Sequence, residues 1–160
     1  MKRILYLIFA WFLMSTISIS AQQKSVAVYH DLKIECMNVE LDGSQTLRSF
    51  GRGRNKADAV EQAKKNAVRF VIFNGITNGR DGCNMRPLVT EVNAEEKYEE
   101  YFNIFFMDGG EYKKYVSSKD EKNFSKTHSK SKLDCVYSVT VRVLRSELKT
   151  RLKADNVIKE

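Results

Sequence analysis

The chain has 160 residues, with 27 Lys and Arg against 20 Asp and Glu and a net charge of +7. That excess is too mild to indicate nucleic acid, and it suits a surface that meets anionic headgroups or polymers. No internal repeat and no linker interrupts the sequence, so one domain is expected, long enough to bury a real core.

The first stretch, MKRILYLIFAWFLMSTISISA, has Lys2 and Arg3, an apolar run from Ile4 to Met14, then small and polar residues ending at Ala21. These are the charged, apolar and cleavage regions of a secretory signal peptide. The apolar run is shorter than the roughly 20 residues of a membrane span. Cleavage after Ala21 is expected, with Ser20 as the alternative, giving a signal peptide over 1–21 and a single domain over 22–160. Removing Lys2 and Arg3 takes the net charge from +7 to +5. The expected location is the periplasm or outside the cell. Export places Cys36, Cys83 and Cys135 in an oxidising compartment, where two of them can pair in three ways.

From Ser25 to Leu41, Val26, Val28, Leu32, Ile34, Cys36 and Asn38 fall at even positions. A period of two predicts a strand with one buried face. Asp42-Gly43 is a turn signal, and QTLRSFGRG reads as a second strand, so residues 25–53 form a hairpin.

Residues 50–76, FGRGRNKADAVEQAKKNAVRFVIFNGI, raise the question of a phosphate-binding loop. The details exclude it. A P-loop closes with Gly-Lys-Ser/Thr, and no Ser or Thr follows here; the dinucleotide fingerprint needs a third glycine where Lys56 stands. The glycines are expected to ease a strand end into a turn. Asn55 is a good N-cap, with Asp58 three positions on as in a capping box. Ala57, Val60, Ala67, Val68, Val71 and Ile72 make an apolar helical stripe, and Gly75 ends it. With so much alanine, the helix can approach a sheet closely. Arg52 and Arg54 are expected on the solvent face, where an incidental anion could sit at the helix N-terminus.

A turn-rich connection over 76–92 contains Gly79, Gly82 and the only proline, Pro87. In NAEEKYEEYFNIFF, Tyr98, Tyr101, Phe102, Phe105 and Phe106 follow helical spacing, so five aromatics share one face. Asn93 is the expected cap, Glu95 and Glu96 occupy the first turn, and Asp108-Gly109-Gly110 stops the helix. This face either packs into the core or docks a partner. Residues 113–132 hold Lys113, Lys114, Lys119, Lys122, Lys126, Lys130 and Lys132 against Asp120 and Glu121. They form a solvated hairpin or a basic contact surface. Cys135, Tyr137, Val139, Val141 and Val143 then alternate as a strand, and SELKTRLKA reads as a closing helix capped by Ser146, with Leu148 and Leu152 on one side.

Chemistry-bearing sets fail on spacing. His30, Cys36, His128 and Cys135 suggest zinc. However, His30 and Cys36 would lie roughly 20 Å apart on a strand, and His128 and Cys135 would face opposite ways. Cys83 has no nucleophile signature around it. The pairs Glu95 with Glu96 and Glu99 with Glu100 belong to a polar helix face, not to a paired-carboxylate site. No nucleophile elbow is present. Cys36 and Cys135 are the candidate disulfide, if their strands are neighbours.

The run GRGRNKADAVEQAKKNAV, following a hairpin and preceding a late strand and leucine-bearing helix, resembles the amino-terminal domain of flagellar assembly protein T and related small bacterial envelope lipoproteins. Those carry a strand, a glycine and an alanine-spaced helix in small α/β domains of the cell envelope. The resemblance covers residues 30–75 and 135–157. The chain departs from the lipoproteins in lacking a lipid-anchor cysteine and in its aromatic insertion at 93–116. The resemblance implies a noncatalytic envelope role.

The expected fold is therefore α+β, a single two-layer domain with an antiparallel sheet and helices packed on one face. The expected function is a noncatalytic interaction or assembly module, with no cofactor and no metal, binding other envelope proteins. The alternative is a binder of anionic polysaccharide or lipid headgroup, with peripheral membrane contact. The candidate binding residues are Arg52, Arg54, Lys113, Lys114, Lys126, Lys130 and Lys132 for the basic surface, and Tyr98, Tyr101, Phe102 and Phe105 for the aromatic one. The sheet edge is a third candidate surface.

Overall fold

The computed structural model describes residues 34–80, 82–83, 85–117, 125–127 and 135–158. The signal peptide, Val26, Val28, Leu32, both histidines, Lys119, Lys122, Lys130 and Lys132 lie outside these residues.

The elements run β1 (Glu35–Val39), β2 (Gln45–Gly53), α1 (Lys56–Arg69), α2 (Ala94–Lys97), α3 (Glu99–Phe105), β3 (Val116–Ser117), β4 (Ser125–Thr127), β5 (Cys135–Val143) and α4 (Arg145–Ala154). The sheet is antiparallel, in the order β1-β2-β5-β3, with β4 pairing along the same side of the sheet as β3, on β5. Helices pack against it, giving a single α+β domain.

The β1–β2 hairpin forms where the turn signal stands. Gly43 takes φ +79, and the Asp42 carboxylate accepts from the Ser44 amide at 2.8 Å and the Ser44 hydroxyl at 2.6 Å. The register slips between Cys36 and Asn38, so Cys36 is buried while Asn38 turns outward. An irregularity of this kind breaks the alternation that strict period two predicts.

Strand β2 runs through both glycines of FGRGR, so they are not a strand-to-turn exit. They are where α1 lies against the sheet. A Cβ on Gly51 would sit 2.0 Å from the Ala59 carbonyl oxygen, and one on Gly53 would sit 2.4 Å from the Ala59 nitrogen. Facing them, Ala59, Ala63 and Ala67 are fully buried, while Ala57 is exposed. The helix is thus rotated from the expected stripe so that its smallest side chains meet the glycines. Ser49 fastens the contact, its hydroxyl donating to the Ala63 carbonyl at 2.8 Å. Asn55 caps α1 as expected, its side-chain oxygen accepting from the Asp58 amide at 2.9 Å.

After Arg69 the helix widens into one π turn over Phe70–Asn74, closed by Gly75 donating to the Phe70 carbonyl. The Val71 and Ile72 carbonyls accept instead from Leu88 and Val89, at 3.0 and 2.9 Å. This stitches the returning loop to the helix end and leaves those backbone groups satisfied.

The aromatic segment is two short helices, not one. Asn93 takes the left-handed conformation, φ 58, and its side chain caps nothing; Tyr98 breaks the helix at φ −109, ψ 29. Phe102 and Phe105 are buried at 4% and 2% exposure, and Tyr98, Tyr101 and Phe106 pack half-buried on the same core. Edge and stacked contacts link Phe73, Tyr101, Phe102, Phe105, Phe106 and Tyr115. The alternating aromatics thus supply the core beside α1. Leu148 and Leu152 of α4 are fully buried in the same core.

The disulfide joins Cys36 to Cys83, not to Cys135. Strand β2 lies between β1 and β5, so Cys36 and Cys135 are never neighbours. Cys135 is a half-buried free thiol whose sulfur donates to the Gly53 carbonyl.

Candidate functional site

The sheet edge at β1 is occupied at Cys36. The backbone of Cys36 donates to the Asn78 carbonyl at 2.9 Å and accepts from the Arg80 amide at 3.2 Å, and its sulfur is bonded to Cys83. Gly79 crosses so near that a Cβ there would lie 2.3 Å from the Cys36 oxygen. A strap over 78–80, with Cys83 bonded to the same residue, therefore occupies the edge at Cys36, a known way of blunting an exposed edge.

The basic candidates are distributed along the surface. Arg52 is exposed on β2. Arg54 pairs with Asp58 at 3.2 Å, Lys113 with Glu61 at 2.7 Å and Lys114 with Glu111 at 2.9 Å. Asp58 and Glu61 are three apart on α1, so Arg54 and Lys113 are held on neighbouring positions of that helix. Lys126 belongs to β4, and Lys130 and Lys132 are outside the described residues. Burial pushes the Glu61 carboxyl up, but hydrogen bonds from Lys113 and Tyr112 more than offset this and leave it below its ordinary value.

Of the aromatic candidates, Phe102 and Phe105 face the interior. Tyr101 is half-buried and donates to Asp155 at 2.6 Å; burial, followed by that carboxylate neighbour, pushes its phenol well above the ordinary value. Tyr98 lies at the break between α2 and α3, its hydroxyl near Glu91 at 3.4 Å.

A concavity lies on the flank of α1 beside the face that meets the sheet. A groove of about 900 Å³ opens between α1 and the α2–α3 pair. Gln62, Lys65, Asn66 and Arg69 line the α1 wall, and Glu95, Glu96, Glu99 and Asn103 line the other. Phe73, Val89, Phe102 and Phe106 also line it and supply apolar surface. The sequence explains the geometry. Residues 99, 102, 103 and 106 fall on one helical stripe, and so do 62, 65, 66 and 69. Two ion pairs tie the walls, Arg69 with Glu95 and Lys65 with Asp108, the latter at 2.7 Å. The Arg69 guanidinium also lies 5.8 Å over the Phe106 ring. Asn66, 2% exposed, donates to the Phe50 carbonyl at 2.8 Å and accepts from Gln62 at 3.1 Å. Large side chains exposed along the same segments are Val92 at 84%, Ile104 at 67% and Met107 at 55%.

Among the described residues, no three His, Cys, Asp or Glu side chains cluster as metal ligands would. The groove is lined by carboxylates, of which Glu95 pairs with Arg69 and Glu91 with Lys97, and by amides and aromatic rings. The sequence offers the aromatic face as core or as docking surface, but it does not show that α1 supplies a facing wall. The signal was present in the polar residues interleaved at the same spacing, Glu99 and Asn103 beside Phe102 and Phe106.

No protein-family model, curated protein or solved structure matches the chain.

Proposed function

We propose that this is a noncatalytic exported protein of the bacterial envelope that binds another envelope protein, and that the α1/α2–α3 groove receives the partner. The observation that carries the reading is the groove. It combines apolar and aromatic surface, two walls with opposite charges and exposed Val92, Ile104 and Met107 nearby, a composition typical of recognition surfaces. The disulfide fits an oxidising compartment. Among the described residues no helix is long and apolar enough to cross a membrane. The signal-like pattern of residues 1–21 and the resemblance to the flagellar assembly domain support an envelope setting.

The test uses purified chain as bait in envelope extracts. Wild type should retain a defined protein, and Glu96→Arg combined with Asn103→Arg should lose it while melting normally. A monomer that captures nothing, or capture indifferent to both substitutions, contradicts the reading.

A further inference from the structure

The groove between α1 and the α2–α3 pair carries a charge opposite in sign to that of the whole chain. The chain is basic, at +7. The groove is lined by the carboxylates Glu91, Glu95, Glu96 and Glu99 against the cations Lys65 and Arg69.

Both cations are already engaged. Lys65 pairs with Asp108 at 2.7 Å, and Arg69 pairs with Glu95. Glu91 is taken by Lys97. Glu96 and Glu99 remain. Both are exposed, and among the described residues neither makes an ion pair or a side-chain hydrogen bond. The charges of the groove therefore cancel except at these two carboxylates. Asn103, exposed on the same wall, adds an uncommitted amide.

The apolar part of the lining points to the same occupant. Phe73 and Phe106 line the groove and are only half-buried. A long cationic side chain suits rings and carboxylates together, because its stem lies on apolar surface while its head stays charged. Arginine suits them best, since its planar fork matches a carboxylate and stacks on aromatic faces. The groove already holds one example. Arg69 bonds Glu95 while its guanidinium lies 5.8 Å over the Phe106 ring. An acidic segment would set like charges against Glu96 and Glu99, and a purely apolar one would desolvate them without a partner; both are costly.

We propose that the segment of the partner that enters this groove is basic, and that its arginine side chains pair with Glu96 and Glu99. The inference rests on the groove being the partner site, and it names the chemistry recognised there.

The test needs no knowledge of the partner. A random dodecapeptide library displayed on phage is selected on the immobilised mature chain. Enriched peptides are then titrated by fluorescence anisotropy against three proteins: wild type, Glu96→Gln combined with Glu99→Gln, and Asn103→Arg. The substituted side chains are exposed and unpartnered, so all three proteins should melt alike. The enriched peptides should be rich in arginine. The paired Gln substitutions should weaken them at least about tenfold, the scale of two lost charge-assisted contacts, and added salt should weaken them on wild type. Asn103→Arg, which adds a like charge beside the two carboxylates, should weaken them too. Neutral or acidic peptides that Asn103→Arg blocks and the paired Gln substitutions leave unchanged would overturn this inference while keeping the groove as the partner site. Binding indifferent to every variant, or no enriched peptide, would overturn the inference and the groove reading together. Self-association of wild type in sedimentation, lost with the paired Gln substitutions, would make a second copy the occupant and overturn the proposal of a separate basic partner.

Discussion

Helix α1 has two faces that do opposite things. Toward the sheet it presents Ala59, Ala63 and Ala67 to Gly51 and Gly53, and backbone meets backbone. Toward α2 and α3 it presents Gln62, Lys65, Asn66 and Arg69, and about 900 Å³ stays open. Small residues let elements close up; long charged ones, tied at their tips to Glu95 and Asp108, hold walls apart. Closure serves stability on one side, and the other side stays open. Asn66 belongs to both, bonding the β2 backbone while lining the groove.

That contrast predicts where the molecule is fragile. The largest loss should follow Cys36→Ser with Cys83→Ser. The bond closes a separation of 47 residues around β2 and α1, worth about 4 kcal/mol in denatured-state entropy. Urea unfolding checks it, and a loss under about 1 kcal/mol would mean the strap holds without the bond. Next, Gly51→Ala drives a methyl into the α1 backbone and should cost about 3 kcal/mol. Gly109→Ala, at φ +81 with open space around it, is the control and should cost about 1 kcal/mol. Equal losses would refute the close-approach account.

Asn55→Ala should cost about 1 kcal/mol by removing the α1 cap. Tyr112 adds a pH signature. Burial, then the bond its hydroxyl donates to Glu61, pushes the phenol well above its ordinary value near 10.0. The folded state thus favours the protonated form. This contribution is complete below pH 10 and is lost as the pH rises from there through the folded value. Tyr112→Phe should flatten that alkaline fall in melting temperature; an unchanged slope would show that Tyr112 plays no part. Smallest of all, Glu96→Gln and Asn103→Ala on the open side should change stability by less than about 0.5 kcal/mol. A large loss there would make the groove a structural joint.

The hairpin, α1 and β5 were legible because their signals are local. Asp42-Gly43 fixes the turn, Asn55 fixes the helix start, and the alternation of Val139, Val141 and Val143 fixes the strand. What the sequence hid depends on contacts between distant segments. Cys83 sits in a loop without periodicity, so nothing local points to Cys36. The slip between Cys36 and Asn38 and the break at Tyr98 likewise leave no compositional mark. Ser146 has the right identity for a cap but finds the Asp42 carbonyl nearer. The groove was partly written in the text, since Glu99 and Asn103 share a helix stripe with Phe102 and Phe106, but the facing wall came only with the packing of α1.

The central claim is that the groove receives a partner protein. It is tested by placing a photo-crosslinking side chain at Asn103, inside the groove, and at Lys149, on the exposed side of α4, in cells that export the protein. The account predicts a discrete crosslinked envelope protein from position 103 and none from 149. Crosslinks from 149 alone, or from neither position, would contradict it.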